Sequence, residues 1–190
     1  MNKIIWPLLL CAVLCGCGGG ETGNAVQEQY STLETARLEA EVTSHTSTDS
    51  RTFTLLCSYD ADGDTVTTVT APGELAGLTA VVLGTDMTLS SEGLQLPAGA
   101  SLDICPANCL PYLLRALADG YVLEQSSEAL DNTPCLRLAL DTTAPGGGKV
   151  LCAVWLDAEG LFPRYAEFSR NEQVVLTVKL LAFTCTTSEG

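Results

Sequence analysis

Apolar residues recur along the chain at two periods, and the change from one to the other divides it into helices and strands. Val26, Tyr30, Leu33 and the aliphatic stem of Arg37 fall at i, i+4, i+7 and i+11, which predicts an amphipathic helix over 24–37 with Asn24 as its N-cap. Period two follows. Leu38 to Ser44 alternates leucine, alanine and valine with polar partners, and Arg51 to Tyr59 sets Phe53, Leu55, Cys57 and Tyr59 on one face. Asp60-Ala61-Asp62-Gly63-Asp64 turns the chain into Thr65–Thr70, with Gly63 supplying a positive φ, so the two strands form a hairpin. One short helical turn is predicted at 72–77, then strands at 78–83, 87–90 and 94–96 separated by Gly or Asp. Leu110, Leu113, Leu114 and Leu117 return to helical spacing, predicting a second helix over Pro106–Ala118 that stops at Asp119-Gly120, with its early turns broken at Pro111. Strand patterns at 121–125, 135–141, 150–157, 164–169 and 173–183 bring the total to about ten strands.

Register can be read for one pair. Joining Asp141 to Lys149 across 142–148 places Leu136, Leu138 and Leu140 opposite Val154, Cys152 and Val150, and turns Cys135 to the other face, away from Cys152. One helix before the sheet, one between its halves and an antiparallel meander otherwise define an α+β fold. The expected architecture is a curved antiparallel half-barrel sheet with two helices covering its concave side. Strands such as Val150-Leu151-Cys152-Ala153-Val154-Trp155-Leu156 are apolar on both faces, so one face meets the helices and the other must be covered or occupied. Phe53, Leu55, Tyr59, Leu138 and Val154 are the candidate ligand-binding residues of the concave apolar face.

The first residues carry a different message. Met1-Asn2-Lys3, the apolar run Ile4–Leu14 and the small residues after it have the order of a secretory signal. That run is shorter than the ~20 apolar residues of a membrane span and contains Pro7, so a transmembrane helix is not expected. Leu14-Cys15-Gly16-Cys17 resembles the bacterial lipobox. The resemblance implies removal of residues 1–16 as a lipoprotein signal peptide and a thioether to diacylglycerol, with palmitate-type chains, on Cys17. Each buried methylene of those chains adds ~0.8 kcal/mol of membrane affinity. Residues 17–24 lack apolar periodicity and read as the lipidated cysteine and a flexible tether, which leaves 25–190 as one domain. The expected place is the extracytoplasmic face of the cell membrane.

The order of elements also resembles the LolA/LolB-like lipoprotein-carrier superfamily, including its lipid-anchored, GerS-like branch in spore-forming Gram-positive bacteria. The residues that carry it are Tyr30-Ser31-Thr32-Leu33 leading into Ala40-Glu41-Val42-Thr43, Phe53 to Tyr59, Thr70 to Gly77, Pro106 to Gly120, and Arg164-Tyr165-Ala166-Glu167. The resemblance implies a hollow between curved sheet and helices that holds acyl chains, or in some relatives a filled domain that contacts a partner.

Charge and composition narrow the chemistry. Cleavage before Cys17 removes one basic residue, Lys3, and no acidic one, taking the net charge from −14 to −15. Such a field disfavours nucleic acid and polybasic docking on anionic headgroups. It suits solubility near a negative surface or recognition of a basic partner. Cys57, Cys105, Cys109, Cys135, Cys152 and Cys185 sit mostly inside apolar patterns without a CxxC, as small hydrophobes rather than a disulfide framework. Histidine occurs once, at His45 in a polar hairpin end, and no GxSxG elbow presents a serine, so hydrolytic triads lack their parts. Cys105 and Cys109 do not make a zinc set. Asp60, Asp62 and Asp64 miss the calcium-loop spacing, with glycine fourth and Ala71 twelfth. Gly146-Gly147-Gly148-Lys149 is followed by Val150 and a strand, unlike a phosphate loop. No catalytic residue, metal or cofactor is expected. The function that fits is a non-catalytic lipoprotein that binds or carries a lipid or other amphiphile in its concave face. The alternative is an envelope or spore-associated interaction protein with a filled core, which docks a partner protein or forms a homodimer through sheet edges.

Overall fold

A computed structural model describes residues 19–84, 86–100, 103–144 and 146–188. The signal segment, Cys17 and its expected lipid lie outside the described residues. Among the described residues eleven antiparallel strands form one sheet: β1 (Leu33–His45), β2 (Ser50–Asp60), β3 (Thr65–Ala71), β4 (Thr79–Leu83), β5 (Asp86–Ser91), β6 (Leu94–Ala100), β7 (Tyr121–Leu130), β8 (Thr133–Thr143), β9 (Lys149–Asp157), β10 (Pro163–Arg170) and β11 (Gln173–Thr187). The spatial order runs β6-β5-β4-β3-β2-β1-β11-β10-β9-β8-β7. Two meanders are therefore sewn together by one non-local pair, β1 with β11, and the sheet ends at β6 and β7 instead of closing into a barrel. Helices α1 (Gly19–Ser31) and α2 (Cys109–Asp119) pack against each other on the concave side, and a 3-10 turn occupies Gly73–Leu75.

The first helix is displaced from its expected span. It starts at Gly19, inside the stretch read as a tether, and ends at Ser31; Asn24 lies exposed within it and caps nothing. Thr32 closes the last turn, its hydroxyl donating to the carbonyls of Glu28 at 3.3 Å and Gln29 at 3.1 Å. From Leu33 onward the chain is strand, so Arg37 stands exposed on β1 while Ala36, Leu38, Ala40 and Val42 are buried. Period two thus begins before Leu38, and the alternating row wins because it pairs on both sides, with β2 and β11.

α2 starts three residues later than expected. Pro111 falls in its first turn, where a missing N–H breaks no intrahelical bond, so the helix tolerates it. Leu110, Leu113, Leu114 and Leu117 are all buried, as their spacing implied. Gly120 follows with φ −66°, and its need for glycine is steric, since an added Cβ would run into the Ala116 carbonyl. Gly63 is similar: it is not among the positive-φ glycines, and an added Cβ there would stand 2.9 Å from an Asp60 carboxylate oxygen. The turn is closed by that carboxylate, which accepts from the Asp62 N–H at 3.0 Å.

In the β8–β9 pair Leu138 lies opposite Val154 and Leu140 opposite Cys152, with Thr143 against Lys149. The expected register is off by two residues, which preserves every face while shortening the connection. An internal bond, Ala144 N–H to the Gly148 carbonyl at 2.7 Å, supplies the tighter turn. Cys135 pairs with Asp157 and faces away from Cys152. The six described cysteines are free thiols.

Candidate functional site

The concave face divides into a covered and an uncovered part. Under the helices, Val26 and Tyr30 of α1 and the leucine stripe of α2 meet Leu38, Val42, Leu55, Leu138, Val154, Phe168, Leu176 and Val178 in one cluster. Of the five residues assigned to the ligand face, Leu55 is 1% exposed and Leu138 and Val154 are 0%. All three share the face expected of them, but they are packed by the helices rather than lining open space. Phe53 and Tyr59 are half-buried at the margin of this core.

Tyr59 does reach an opening. A cleft of about 380 Å³ lies between the helices and β2–β4, lined by Tyr30, Leu33, Tyr59, Val82, Pro111 and Leu114 among others. Val82 connects it to the rest of the concave face. Val82 pairs with Met87, Ala80 with Leu89, Leu89 with Leu96, and Ser91 with Leu94, so alternation carries a continuous apolar row toward β6. The main contacts of the helices are with each other and with β2, β7 and β8, not with this wing. Leu94 and Leu96 at its edge are 65% and 59% exposed. A helix is about 10 Å wide and strands are spaced about 4.8 Å, so two helices cannot span an eleven-stranded sheet. In the sequence the only signal for these residues as a site is the apolar positions Val82, Met87, Leu89, Leu94 and Leu96, and it is weak because β4–β6 are short.

Ahead of α2, Asp103 accepts from Arg170 Nη1 at 2.6 Å, tying the segment before this helix to the end of β10. Asn108 braces the same segment: its side-chain oxygen accepts from the Cys105 N–H at 2.8 Å and its amide donates to the Asp103 carbonyl at 2.9 Å.

The polar and thiol groups singled out in the sequence make local contacts. His45 lies at the β1–β2 hairpin end, as the last residue of β1, within 3.1 Å of the Ser50 hydroxyl and 3.3 Å of the Thr177 hydroxyl. Burial pushes the Cys57 thiol up to about 11, against a smaller lowering by the Thr67 hydroxyl, and burial raises Cys109 and Cys152 as well. These thiols are the reverse of an activated nucleophile. Tyr30 is likewise raised by burial, and its hydroxyl donates to the Leu161 carbonyl at 3.0 Å, fixing α1 to the β9–β10 turn. Lys149, beside the glycine run, lies 3.5 Å from the Asp141 carboxylate at the start of β9. Among the described residues no His, Cys, Asp and Glu cluster could hold a metal ion, and no helix is long and apolar enough to cross a membrane.

No family model matches the chain, and no curated protein sequence does. Solved structures do. A DUF1329 family protein from Desulfovibrio piger is 13% identical over 90% of this chain and 94% of its own, with a TM-score of 0.51. The LolA superfamily protein NE2245 from Nitrosomonas europaea is 11% identical over 88% and 94%, with a TM-score of 0.48. A chain in the structure of the CwlD amidase from Clostridioides difficile in complex with the GerS lipoprotein is 19% identical over 94% and 96%, with a TM-score of 0.37. Solved structures similar to this chain thus include a LolA superfamily protein, and what this chain shares with the Desulfovibrio piger protein, at 13% identity and a TM-score of 0.51, is the fold.

Proposed function

We propose that the protein is a non-catalytic lipoprotein, held on the extracytoplasmic face of the cell membrane by lipid on Cys17, that binds an acyl chain or similar amphiphile on its concave face. The observation that carries this reading is the apolar row of half-buried Val82, Met87 and Leu89 and exposed Leu94 and Leu96, continuous with the cleft at Tyr59. Contiguous apolar surface of this kind is removed from water by a ligand or a partner. Burying a single leucine contributes about 1.5–3 kcal/mol. Leu55, Leu138 and Val154 form the dry floor beneath the helices, reachable by a chain only when the helices lift, while Tyr59 lines the cleft and Phe53 lies toward the other end of β2 at the margin of the core.

Native mass spectrometry with lipid extraction on the chain from Gly18 onward tests the reading. It predicts stoichiometric co-purified acyl lipid, reduced at least tenfold by Val82→Asp with Leu89→Asp. A ligand-free chain, or lipid retained by the double variant, sinks the concave-face assignment. Anchoring is tested separately, since Cys17→Ala should move the protein from the membrane to the soluble fraction. The second reading, a partner-docking protein with a filled core, is favoured by the full burial of Leu55, Leu138 and Val154. It gains ground if the chain is ligand-free while pulling down an envelope protein.

A further inference from the structure

The sheet has a second opening, remote from the concave wing. β11 pairs with β1 from Leu176 through Thr187, but β10 accompanies it only as far as Lys179. Among the described residues, no strand pairs with 181–187 on the side away from β1. β10 stops there for local reasons. It begins at Pro163, which has no N–H to extend the ladder, and Arg164 bulges out of its pairing with β9. Beyond it the β9–β10 turn is drawn to the concave side, where the Gly160 and Leu161 carbonyls accept from Gln29 and Tyr30 of α1. On β11 the residue opposite this gap, Leu181, is itself a bulge, between Leu180 paired with Ala40 and Ala182 paired with Glu39.

The result is a notch of about 490 Å³. One side is the strand edge of β11; the Phe162 and Phe183 rings, 5.4 Å apart, are part of its lining. Phe162 is 39% exposed and Leu181 52%. Arg164 and Lys179 also line the notch, and neither forms an ion pair among the described residues, although the chain as a whole is strongly acidic. Two acids also line it, but the Asp157 carboxylate is turned to the N–H groups of Glu159, Gly160 and Phe162, and neither it nor Asp131 forms an ion pair with Arg164 or Lys179.

We propose that this notch is a docking site for an extended segment of a partner protein, which adds a strand to β11 at 181–187 and presents acidic side chains to Arg164 and Lys179. An unpaired strand edge offers backbone donors and acceptors in a row, a demand that a peptide strand satisfies and a lipid does not. Alternate side chains of the added strand fall on the aromatic pair and on the opposite, solvent side. The site is independent of the concave-face reading, so either can fail alone.

The probe is a fluorescent eight-residue peptide alternating valine and glutamate, titrated into the full-length chain in detergent and followed by anisotropy and by hydrogen exchange. Expected are saturable binding, slowed exchange of the 181–187 amides, and at least tenfold weaker binding to the Arg164→Glu, Lys179→Glu double variant. These residues are exposed, and an unchanged thermal melt confirms that the variant folds. A lysine-for-glutamate peptide should bind at least tenfold more weakly, and a peptide N-methylated at alternate residues should not protect 181–187. Equal binding by the N-methylated peptide overturns the proposal. So does protection of 181–187 by phosphatidylglycerol vesicles with none by the peptide, which would make the notch a lipid site.

Discussion

The β8–β9 pair and the β5–β6 pair are built alike, yet they meet water differently. Both are antiparallel, and both place leucines in alternate positions on the concave face. In the first, Leu138 and Leu140 are 0% exposed; in the second, Leu94 and Leu96 are 65% and 59% exposed. The difference lies in what stands above the sheet. α2 presents Leu110, Leu113, Leu114 and Leu117 to the core, whereas β5 and β6 are not among the main contacts of either helix. Strand pairing sets the direction of a side chain, and burial depends on a covering layer. The covered part is thus the stable body of the molecule and the wing is the part available to bind.

The sharpest way to break this contrast is to truncate within the covered half. Leu138→Ala should cost about 3–4 kcal/mol in urea unfolding, the sum of lost transfer energy and a cavity the helices cannot close. A loss under about 1 kcal/mol would show that the helices adapt and that the core is not tightly filled. A pH titration probes the same interior next. The Cys57 thiol is neutral when folded up to about 11, while the unfolded thiol ionises near 9.0. The stability it contributes is fully present below about pH 9 and is lost as pH rises through about 11, to a total of about 2–3 kcal/mol. Cys57→Ala should remove that portion of the alkaline loss; an unchanged pH profile would place Cys57 in contact with solvent.

Smaller effects belong to the convex face. A cross-strand row runs Arg137, Trp155, Tyr165, Lys179 and Glu41 from β8 to β1. Arg137 lies 5.4 Å over the Trp155 ring and 3.0 Å from Glu124, and Trp155 donates to Glu128 at 3.0 Å. Arg137→Ala should destabilise by about 1 kcal/mol, since the group is only partly desolvated. Smallest of all, Leu96→Ala on the wing should change stability by less than about 0.5 kcal/mol, while weakening lipid binding. A stability loss comparable with that of Leu138→Ala would mean that the wing is covered in solution and would erase the contrast.

Most strand faces were legible in the sequence because alternation is local. Phe53, Leu55, Cys57 and Tyr59 share one face, and Leu136, Leu138 and Leu140 share another, whatever each strand pairs with. The leucine stripe of α2 was legible for the same reason. The end of α1 was not, since Leu33 and Arg37 extend a helical spacing while Leu38, Ala40 and Val42 demand a strand. Pairing with β11, about 150 residues away, favours the strand at Leu33. A two-residue register error at β8–β9 had the same source: alternation fixes parity, while the turn at 144–148 fixes the absolute offset.

By itself, then, the sequence determined the α+β class, the leucine stripe of α2, the faces of the strands and the acidic balance of charge. These follow from the chemistry of neighbours a few positions apart. Only the tertiary structure decided that Leu55, Leu138 and Val154 would lie dry beneath helices, that Val82, Met87, Leu89, Leu94 and Leu96 would be left without helical cover, and that β11 would keep a free edge beside Arg164 and Lys179. Those outcomes depend on which element reaches over which face. Helix width against sheet width, and bulges that end a ladder, settle that only once the whole chain is assembled.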